Sequence, residues 1–183
     1  MAHTLAATLG WLAATAAAAG MALVAPDEST LLGKLPPLSA KRLDEQTIAL
    51  PQELPSGRTL ALVAFARGQR EEIQSWIEGL QLQREPGIAW VKLRVLPDPG
   101  DDKERRLIER QLLAKHADAA DRTRHVSVFT DRDAFVRSAG LSGTGHASVL
   151  VVDRAGNVLA RAEGPFDKAK AEALRETVLA QND

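Results

Sequence analysis

The chain has 183 residues, which suits one domain with some length left for a leader or a linker. Its formal net charge of −1 and the lack of a long basic run give no reason to expect nucleic acid binding. Cysteine is absent, which excludes disulfides, thiolate metal sites and cysteine nucleophiles together. With four histidines, metal chemistry would depend on carboxylates, and no sequence motif predicts a metal or a cofactor.

The first 26 residues contain no Lys, Arg, Asp or Glu, and residues 5–25 form an alanine-rich apolar run. Small residues at 17–19 and near Ala25 suit cleavage by a signal peptidase, but the usual basic start is missing. Residues 1–25 are therefore predicted to be a signal peptide, and the mature protein to be periplasmic or secreted. Two alternatives stay open. The run could be an uncleaved membrane anchor, because it is long enough to span a bilayer, or the start could be disordered or wrongly assigned.

Residues 26–45 are interpreted as a linker and lead-in segment, in which Gly33, Pro36 and Pro37 interrupt regular structure. The folded domain is predicted to follow, over residues 46–183. The sequence contains no internal repeat, and no low-complexity tract outside the leader, so a single domain is expected.

The domain is predicted to begin with a short edge strand at 47–50. The continuous apolar run at 59–65 is typical of a strand covered on both faces. The clearest helix follows it. Four apolar residues spaced i, i+3, i+4 and i+7 place one face of that helix in the core: Ile73, Trp76, Ile77 and Leu80.

Strands and helices then alternate to the end of the chain. Further strands are predicted at 88–96 and 125–130, helices at 103–116 and 131–139, a hairpin at 148–152 and 158–162, and a last helix capped by Asp167. The full order is β, β, α, β, α, β, α, β, β, α. Alternating strands and helices imply parallel crossovers, and the closing hairpin adds an antiparallel edge. Periodicity alone therefore predicts an α/β sandwich with a mixed sheet.

This order resembles the thioredoxin-like superfamily, particularly the peroxiredoxin and thioredoxin-like proteins of bacterial envelopes. Gly33-Lys-Leu-Pro-Pro-Leu38 with Thr47-Ile-Ala-Leu50 resembles the first segment of that family, and Leu60 to Phe65 resembles the strand that leads into its redox loop. Ser148-Val-Leu-Val-Val-Asp153 with Gly156-Asn-Val-Leu159 resembles its closing hairpin. The resemblance covers about residues 33–180. It implies a thioredoxin-like sandwich with a mixed central sheet, a C-terminal β-hairpin and a final helix.

The chain departs from the family at the redox site. In the family, the strand that ends near Phe65 leads to the reactive cysteines, whereas this chain has Arg67-Gly-Gln-Arg-Glu-Glu72 there. The cis-proline that the family places before its closing hairpin is replaced by Gly145-His-Ala-Ser148, so a trans bond is predicted. Because disulfide exchange requires an attacking thiolate, the chain is predicted not to be a thiol–disulfide oxidoreductase.

A weaker likeness bears on function. Phe65-Ala-Arg-Gly-Gln69, Ser75-Trp76 and the Asp-x-x-Gly hairpin resemble the thioredoxin-like assembly factors of mitochondrial ATP synthase, which act as binding proteins. The resemblance implies a non-catalytic binding or assembly protein of the cell envelope, with a protein partner that the sequence does not identify. Two alternatives remain. One is a non-redox enzyme, hydrolytic for example, that uses His146; the other is a structural domain of a membrane complex held by an uncleaved leader.

Four residues are candidates for binding: Arg67, Gln69, Arg70 and His146. The first three occupy the family's redox position at a predicted helix N-terminus, where backbone N–H groups favour an anion or a peptide. A solvated loop is the alternative interpretation. His146 lies in the loop 143–148, which in this fold faces the Arg67 loop. It could bind a ligand or act as a base, and an exposed loop histidine is the simpler alternative.

No residue is predicted to be catalytic or to bind a metal. Asp98, Asp101 and Asp102 lack the spacing of a calcium loop, so helix capping is expected of them. His116 and His125 flank a predicted surface loop and are interpreted as surface residues.

Overall fold

The computed structural model describes residues 32–116 and 118–180, so the predicted leader at 1–25 lies outside the described residues. The strands are β1 (Leu38–Arg42), β2 (Thr47–Leu50), β3 (Arg58–Ala64), β4 (Trp90–Pro97), β5 (His125–Thr130), β6 (Ser148–Asp153) and β7 (Val158–Glu163). The helices are α1 (Arg70–Gly79), α2 (Asp102–Leu113), α3 (Ala119–Arg124), α4 (Arg132–Ser138) and α5 (Lys168–Leu179). Within the described ranges, no helix is both long and apolar enough to cross a membrane.

The strands form one mixed sheet in the order β2-β1-β5-β4-β3-β6-β7. The three central crossover strands, β3, β4 and β5, are parallel, whereas β6 and β7 close the sheet as an antiparallel hairpin beside β3. The predicted edge strand at 47–50 is β2, and it lies at the edge of the sheet. The predicted α/β sandwich with a C-terminal hairpin and a final helix is therefore confirmed.

Each face of the sheet has its own core, because successive residues of β3 point to opposite sides. Leu60 and Leu62 pack with α1 and α5, while Ala61 and Val63 pack with Phe135 of α4 on the other side. Both cores are built from buried apolar side chains. All four residues of the predicted helix face are buried, as expected: Ile73, Trp76, Ile77 and Leu80.

Trp76 is the largest of the fully buried side chains. Its indole Nε1 donates a hydrogen bond of 2.8 Å to the Gly164 carbonyl oxygen, and its ring meets Phe166 edge-on at 5.3 Å between centroids. Phe166 also fills the space above Gly79, where a Cβ atom would lie 2.3 Å from the ring. The end of α1 is thereby packed closely against the segment that leads into α5.

Two elements were not predicted from the sequence. β1 falls inside the predicted linker 26–45, and it pairs with both β2 and β5. Ala40 is the only fully buried residue of this strand, so its hydropathy pattern is weak. α3 has six residues, and none of them is buried. It follows α2, which was predicted at 103–116 and ends at Leu113 in the structure. The folded unit therefore starts before residue 46.

Candidate functional site

The candidate site lies where β3 ends and α1 begins. The chain leaves β3, forms a 3-10 turn at Arg67–Gln69, and enters α1 at Arg70. The loop 143–147, which precedes β6, lies beside this turn because β6 pairs antiparallel with β3. We refer to residues 67–72 and 143–147 together as the two-loop surface. The predicted contact between the His146 loop and the Arg67 loop is present.

The buried side chain of Gln69 connects the two loops by hydrogen bonds. Its Oε1 accepts hydrogen bonds from the backbone N–H groups of Phe65 at 2.7 Å and Ala66 at 3.1 Å, and its Nε2 donates to the Thr144 carbonyl oxygen at 2.7 Å. Only 5% of Gln69 is exposed. The side chain therefore holds the loops in place and is not itself available to a partner, unlike Arg67 and Arg70, which are exposed.

Glu72 makes the second connection between the loops. One carboxylate oxygen, Oε1, lies 2.9 Å from Nδ1 of His146, and the other accepts a 2.6 Å hydrogen bond from the Ala147 backbone N–H. The Glu72 side chain is 22% exposed, against 66% for His146. Glu72 thus fixes the position of an otherwise exposed imidazole. Sequence reasoning missed Glu72, because an acidic residue in the first turn of a helix is ordinary.

The serine hydroxyl groups near this pair do not hydrogen bond to His146. Ser75 Oγ donates to the Glu72 carbonyl oxygen and accepts from the Phe166 N–H, and Ser142 Oγ contacts Glu163. Ser148 Oγ is buried and has no hydrogen-bond partner. No serine or threonine hydroxyl in the described part of the chain bonds to His146. The Glu72–His146 pair is therefore an acid–base pair without an adjacent nucleophile.

Two further arginines lie at the end of β3, beside the two-loop surface. Arg94 of β4 donates to the Ala66 carbonyl oxygen at 3.2 Å, and Arg132 of α4 donates to the Phe65 carbonyl oxygen at 3.4 Å. Both are half-buried, and Arg94 Nε is buried without a hydrogen-bond partner. Burial, together with the nearby charge of Arg67, lowers the pKa of the Arg94 guanidinium.

These arginines lack acidic partners. Among residues 32–116 and 118–180, no carboxylate lies within ion-pair distance of any of the four that surround the end of β3: Arg67, Arg70, Arg94 and Arg132. Elsewhere, Arg105 pairs with Asp98 and Arg175 with Glu85. Four arginines without an ion pair among the described residues therefore surround the end of β3, and the acidic Glu71 and Glu72 lie beside them in the first turn of α1.

Both halves of a redox site are missing at this position. The chain has no cysteine, so the turn after β3 carries Arg67, Gly68 and Gln69 in place of a thiol. The peptide bond before Ala147 is trans, as predicted, and the cis peptide bond among the described residues is Leu50–Pro51.

Comparison with known proteins supports the fold and goes no further. No protein family model matches the chain, and no curated protein matches it. Solved structures do match. BsSco, a member of the Sco family of cytochrome c oxidase assembly proteins, has a TM-score of 0.51 and 14% identity, covering 79% of this chain and 91% of BsSco. A candidate electron transfer protein from Aquifex aeolicus VF5 has a TM-score of 0.55 and 12% identity, covering 81% of this chain and 97% of that protein.

A candidate electron transport protein, also from Aquifex aeolicus VF5, has a TM-score of 0.54 and 14% identity over the same shares of the two chains. The chain therefore has a thioredoxin-like fold, and the predicted assignment is confirmed at that level. Within that fold it is a form without cysteine. At such low identity the activities of these neighbours do not transfer to it.

Proposed function

We propose that this chain is a non-catalytic binding or assembly protein of the cell envelope, and that the two-loop surface is where it binds a protein partner. One observation carries the proposal. The loops are tied together by Gln69 and Glu72, while Arg67, Arg70 and His146 remain exposed on the surface thus formed. A rigid, exposed surface limits the entropy that is lost when a partner binds.

The charge of the surface indicates the chemistry of the partner. Four arginines without carboxylate partners favour an acidic segment, because a guanidinium binds a carboxylate through two parallel hydrogen bonds. Charge complementarity of this kind determines which partner is accepted and speeds association. The partner segment is therefore expected to contain Asp or Glu, and binding to weaken as salt is added.

The envelope location rests on the apolar leader at 1–25, and the assembly role has a precedent in the fold. BsSco is a member of a family of cytochrome c oxidase assembly proteins. Its likeness to this chain is one of fold, so it supports the use of a thioredoxin-like domain in assembly without indicating which complex this chain would serve.

The Glu72–His146 pair favours a second candidate function, a non-redox enzyme in which Glu72 orients His146 as a general base. The pair would have to activate water or a substrate group, since no described hydroxyl bonds to His146. An activity that is lost in His146→Ala and in Glu72→Gln would support this candidate over the binding protein.

The test of the proposed function compares partner recovery by three forms of the full chain. Native envelopes are crosslinked mildly, and the proteins that co-purify with wild type, with the double variant Arg67→Ala/His146→Ala and with Arg154→Ala are compared. Arg154 is exposed in the β6–β7 turn, at the other end of β6 from His146, so it is a matched arginine control.

We expect one specific partner with wild type and Arg154→Ala, and little or none with the double variant. The melting temperatures should be nearly equal, because the substituted side chains are exposed. Equal recovery by all three forms would remove the two-loop surface from consideration.

A further inference from the structure

A second cluster of functional side chains lies at the opposite end of the sheet. It contains His116, which follows α2, Asp121 of α3 and His125 at the start of β5. β3, β4 and β5 are parallel and adjacent. The start of β5 and the end of β3 therefore lie at opposite ends of the strands. The cluster is therefore separate from the two-loop surface, and an inference about it does not depend on the proposed function.

The two imidazoles converge on one carboxylate oxygen. Asp121 Oδ2 lies 2.9 Å from His116 Nδ1 and 3.3 Å from His125 Nδ1. The rings lie beside each other, with their centroids 4.0 Å apart. One nitrogen or oxygen atom from each residue can be chosen so that all three lie within 4.8 Å of one another.

Local structure explains the convergence. Asp118 accepts a hydrogen bond from the Ala120 N–H and so begins α3. The single turn that follows places Asp121 four residues before His125, on the same side of the chain. The Arg122 side chain donates to the His116 carbonyl oxygen at 2.6 Å and holds the preceding loop against this turn.

The three side chains are accessible to a cation, at 25% exposure for His116, 29% for Asp121 and 16% for His125. Imidazole nitrogen and carboxylate oxygen are ligands that zinc accepts together.

We propose that His116, Asp121 and His125 form a binding site for a divalent transition-metal cation, of which Zn²⁺ is the natural probe. Zinc holds nitrogen and oxygen ligands at about 2.0–2.1 Å, which places neighbouring ligand atoms about 3.3 Å apart in a tetrahedron. The separations of 2.9 and 3.3 Å between Asp121 Oδ2 and the two Nδ1 atoms are close to that spacing. A bound cation would replace the 3.1 Å contact between His125 Nδ1 and the Asp121 carbonyl oxygen. Two imidazoles and one carboxylate leave the remaining coordination positions to water or to a partner's side chain.

Lys92 opposes a cation in this site. Its Nζ lies 2.8 Å from Asp121 Oδ1, the carboxylate oxygen other than the one nearest the histidines, and 5.8 Å from the centroid of the Trp90 ring. The positive charge of Lys92 both competes for the carboxylate and repels a metal ion. Replacing Lys92 with glutamine should therefore strengthen metal binding. A cluster with a purely structural role gives no reason to expect such a gain.

The experiment titrates Zn²⁺ into the full, tag-free chain by calorimetry in a buffer that does not chelate metals. Wild type should bind one Zn²⁺ per chain, and the metal should raise its melting temperature by mass action. His125→Ala and Asp121→Asn should each weaken binding about ten-fold or more, and Lys92→Gln should tighten it. His146→Ala and His3→Ala are matched controls, and each should bind as wild type does.

Metal-free melting curves check that each variant folds. If His125→Ala does not fold, Asp121→Asn and Lys92→Gln still decide the question, because asparagine has the shape of aspartate and glutamine keeps most of the length of lysine without its charge. Equal Zn²⁺ affinity in wild type and Asp121→Asn would overturn the proposal. So would a Zn²⁺ affinity that falls in Lys92→Gln, or that is lost in His146→Ala or His3→Ala.

Discussion

Trp76 packs between α1 and the sheet with none of its surface exposed, and its Nε1 is hydrogen bonded to Gly164. Replacing it with alanine should lower the free energy of unfolding by about 3–5 kcal/mol, because a large cavity forms and the Gly164 carbonyl loses its donor. Denaturant unfolding measures this directly. Leu107→Ala is the control, since Leu107 is 48% exposed and should change the stability by less than about 0.5 kcal/mol. A Trp76 variant as stable as that control would contradict the packing described for α1.

Gln69 should stabilise the protein as well as shape its surface. Gln69→Ala leaves the backbone N–H groups of Phe65 and Ala66 and the carbonyl of Thr144 without their partner. Buried polar groups that lose a partner in this way cost about 1–3 kcal/mol. The matched control is Gln74→Ala, because Gln74 is exposed on α1 and bonds only to Glu78. Chemical unfolding that gives equal stabilities for the two variants would show that Gln69 does not hold the loops together.

Sequence reasoning predicted that the Arg67 and His146 loops face each other, as they do in the structure, but it did not separate the roles of the four candidate residues. Arg67, Arg70 and His146 are exposed around the predicted position, whereas Gln69, grouped with them, is buried. The difference depends on Thr144, which is 75 residues away along the chain and accepts the Gln69 amide. Local pattern carries no information about such a distant partner.

Asp131 begins α4 by accepting hydrogen bonds from the Asp133 and Ala134 N–H groups. These bonds, with that from Ala134 the larger influence, lower the pKa of the Asp131 carboxyl. A lowered carboxyl pKa stabilises the fold above the ordinary pKa of aspartate, and this stabilisation is lost as the pH falls through the folded-state value.

Asp131→Ala should therefore melt at a lower temperature than wild type at neutral pH, and the difference should narrow in acid. Melting curves recorded across the acid range measure both. Asp133→Ala is the control, because Asp133 lies in the same turn but accepts none of the capping bonds. A difference that stays constant with pH would contradict the capping role of the ionised Asp131.

Elements with a strong apolar pattern were predicted, whereas β1, with one buried residue, was missed. β3 is buried on both faces and α1 on one face, so the sequence shows a continuous apolar run for β3 and a helical apolar spacing for α1. β1 has the sequence Leu-Ser-Ala-Lys-Arg and is stabilised chiefly by backbone pairing with β2 and β5. Backbone hydrogen bonds do not depend on the hydrophobicity of the side chains. A strand that relies on them therefore has no hydropathy pattern by which it could be predicted.

The whole molecule should show no disulfide reductase, isomerase or thiol-peroxidase activity. Exchange requires attack by a thiolate, and the chain has no cysteine to supply one. Insulin reduction by clean recombinant protein measures this, with a cysteine-containing thioredoxin as the positive control. Reproducible turnover above the background without enzyme would overturn the chemical argument.

The predicted leader at residues 1–25 leads to a prediction about where the mature protein begins. If it is a signal peptide, the mature protein should begin between residues 18 and 29, where small residues cluster and charge resumes. N-terminal sequencing of protein from an envelope fraction tests this. Met1 retained in membranes would support the anchor instead, and Met1 retained in a soluble cytoplasmic pool would exclude export.

The ties made by Gln69 and Glu72 have a consequence for regulation. In a redox-active domain, the loop after the first central strand exists in an oxidised and a reduced form. Its surface therefore changes with the redox potential of the compartment. Here amide and carboxylate hydrogen bonds hold the same two loops together, and neither group can be oxidised or reduced under physiological conditions. The proposed binding surface therefore has one covalent state. Its occupancy should follow the concentration of the partner and the ionic strength, and should be unchanged when dithiothreitol or oxidised glutathione is added.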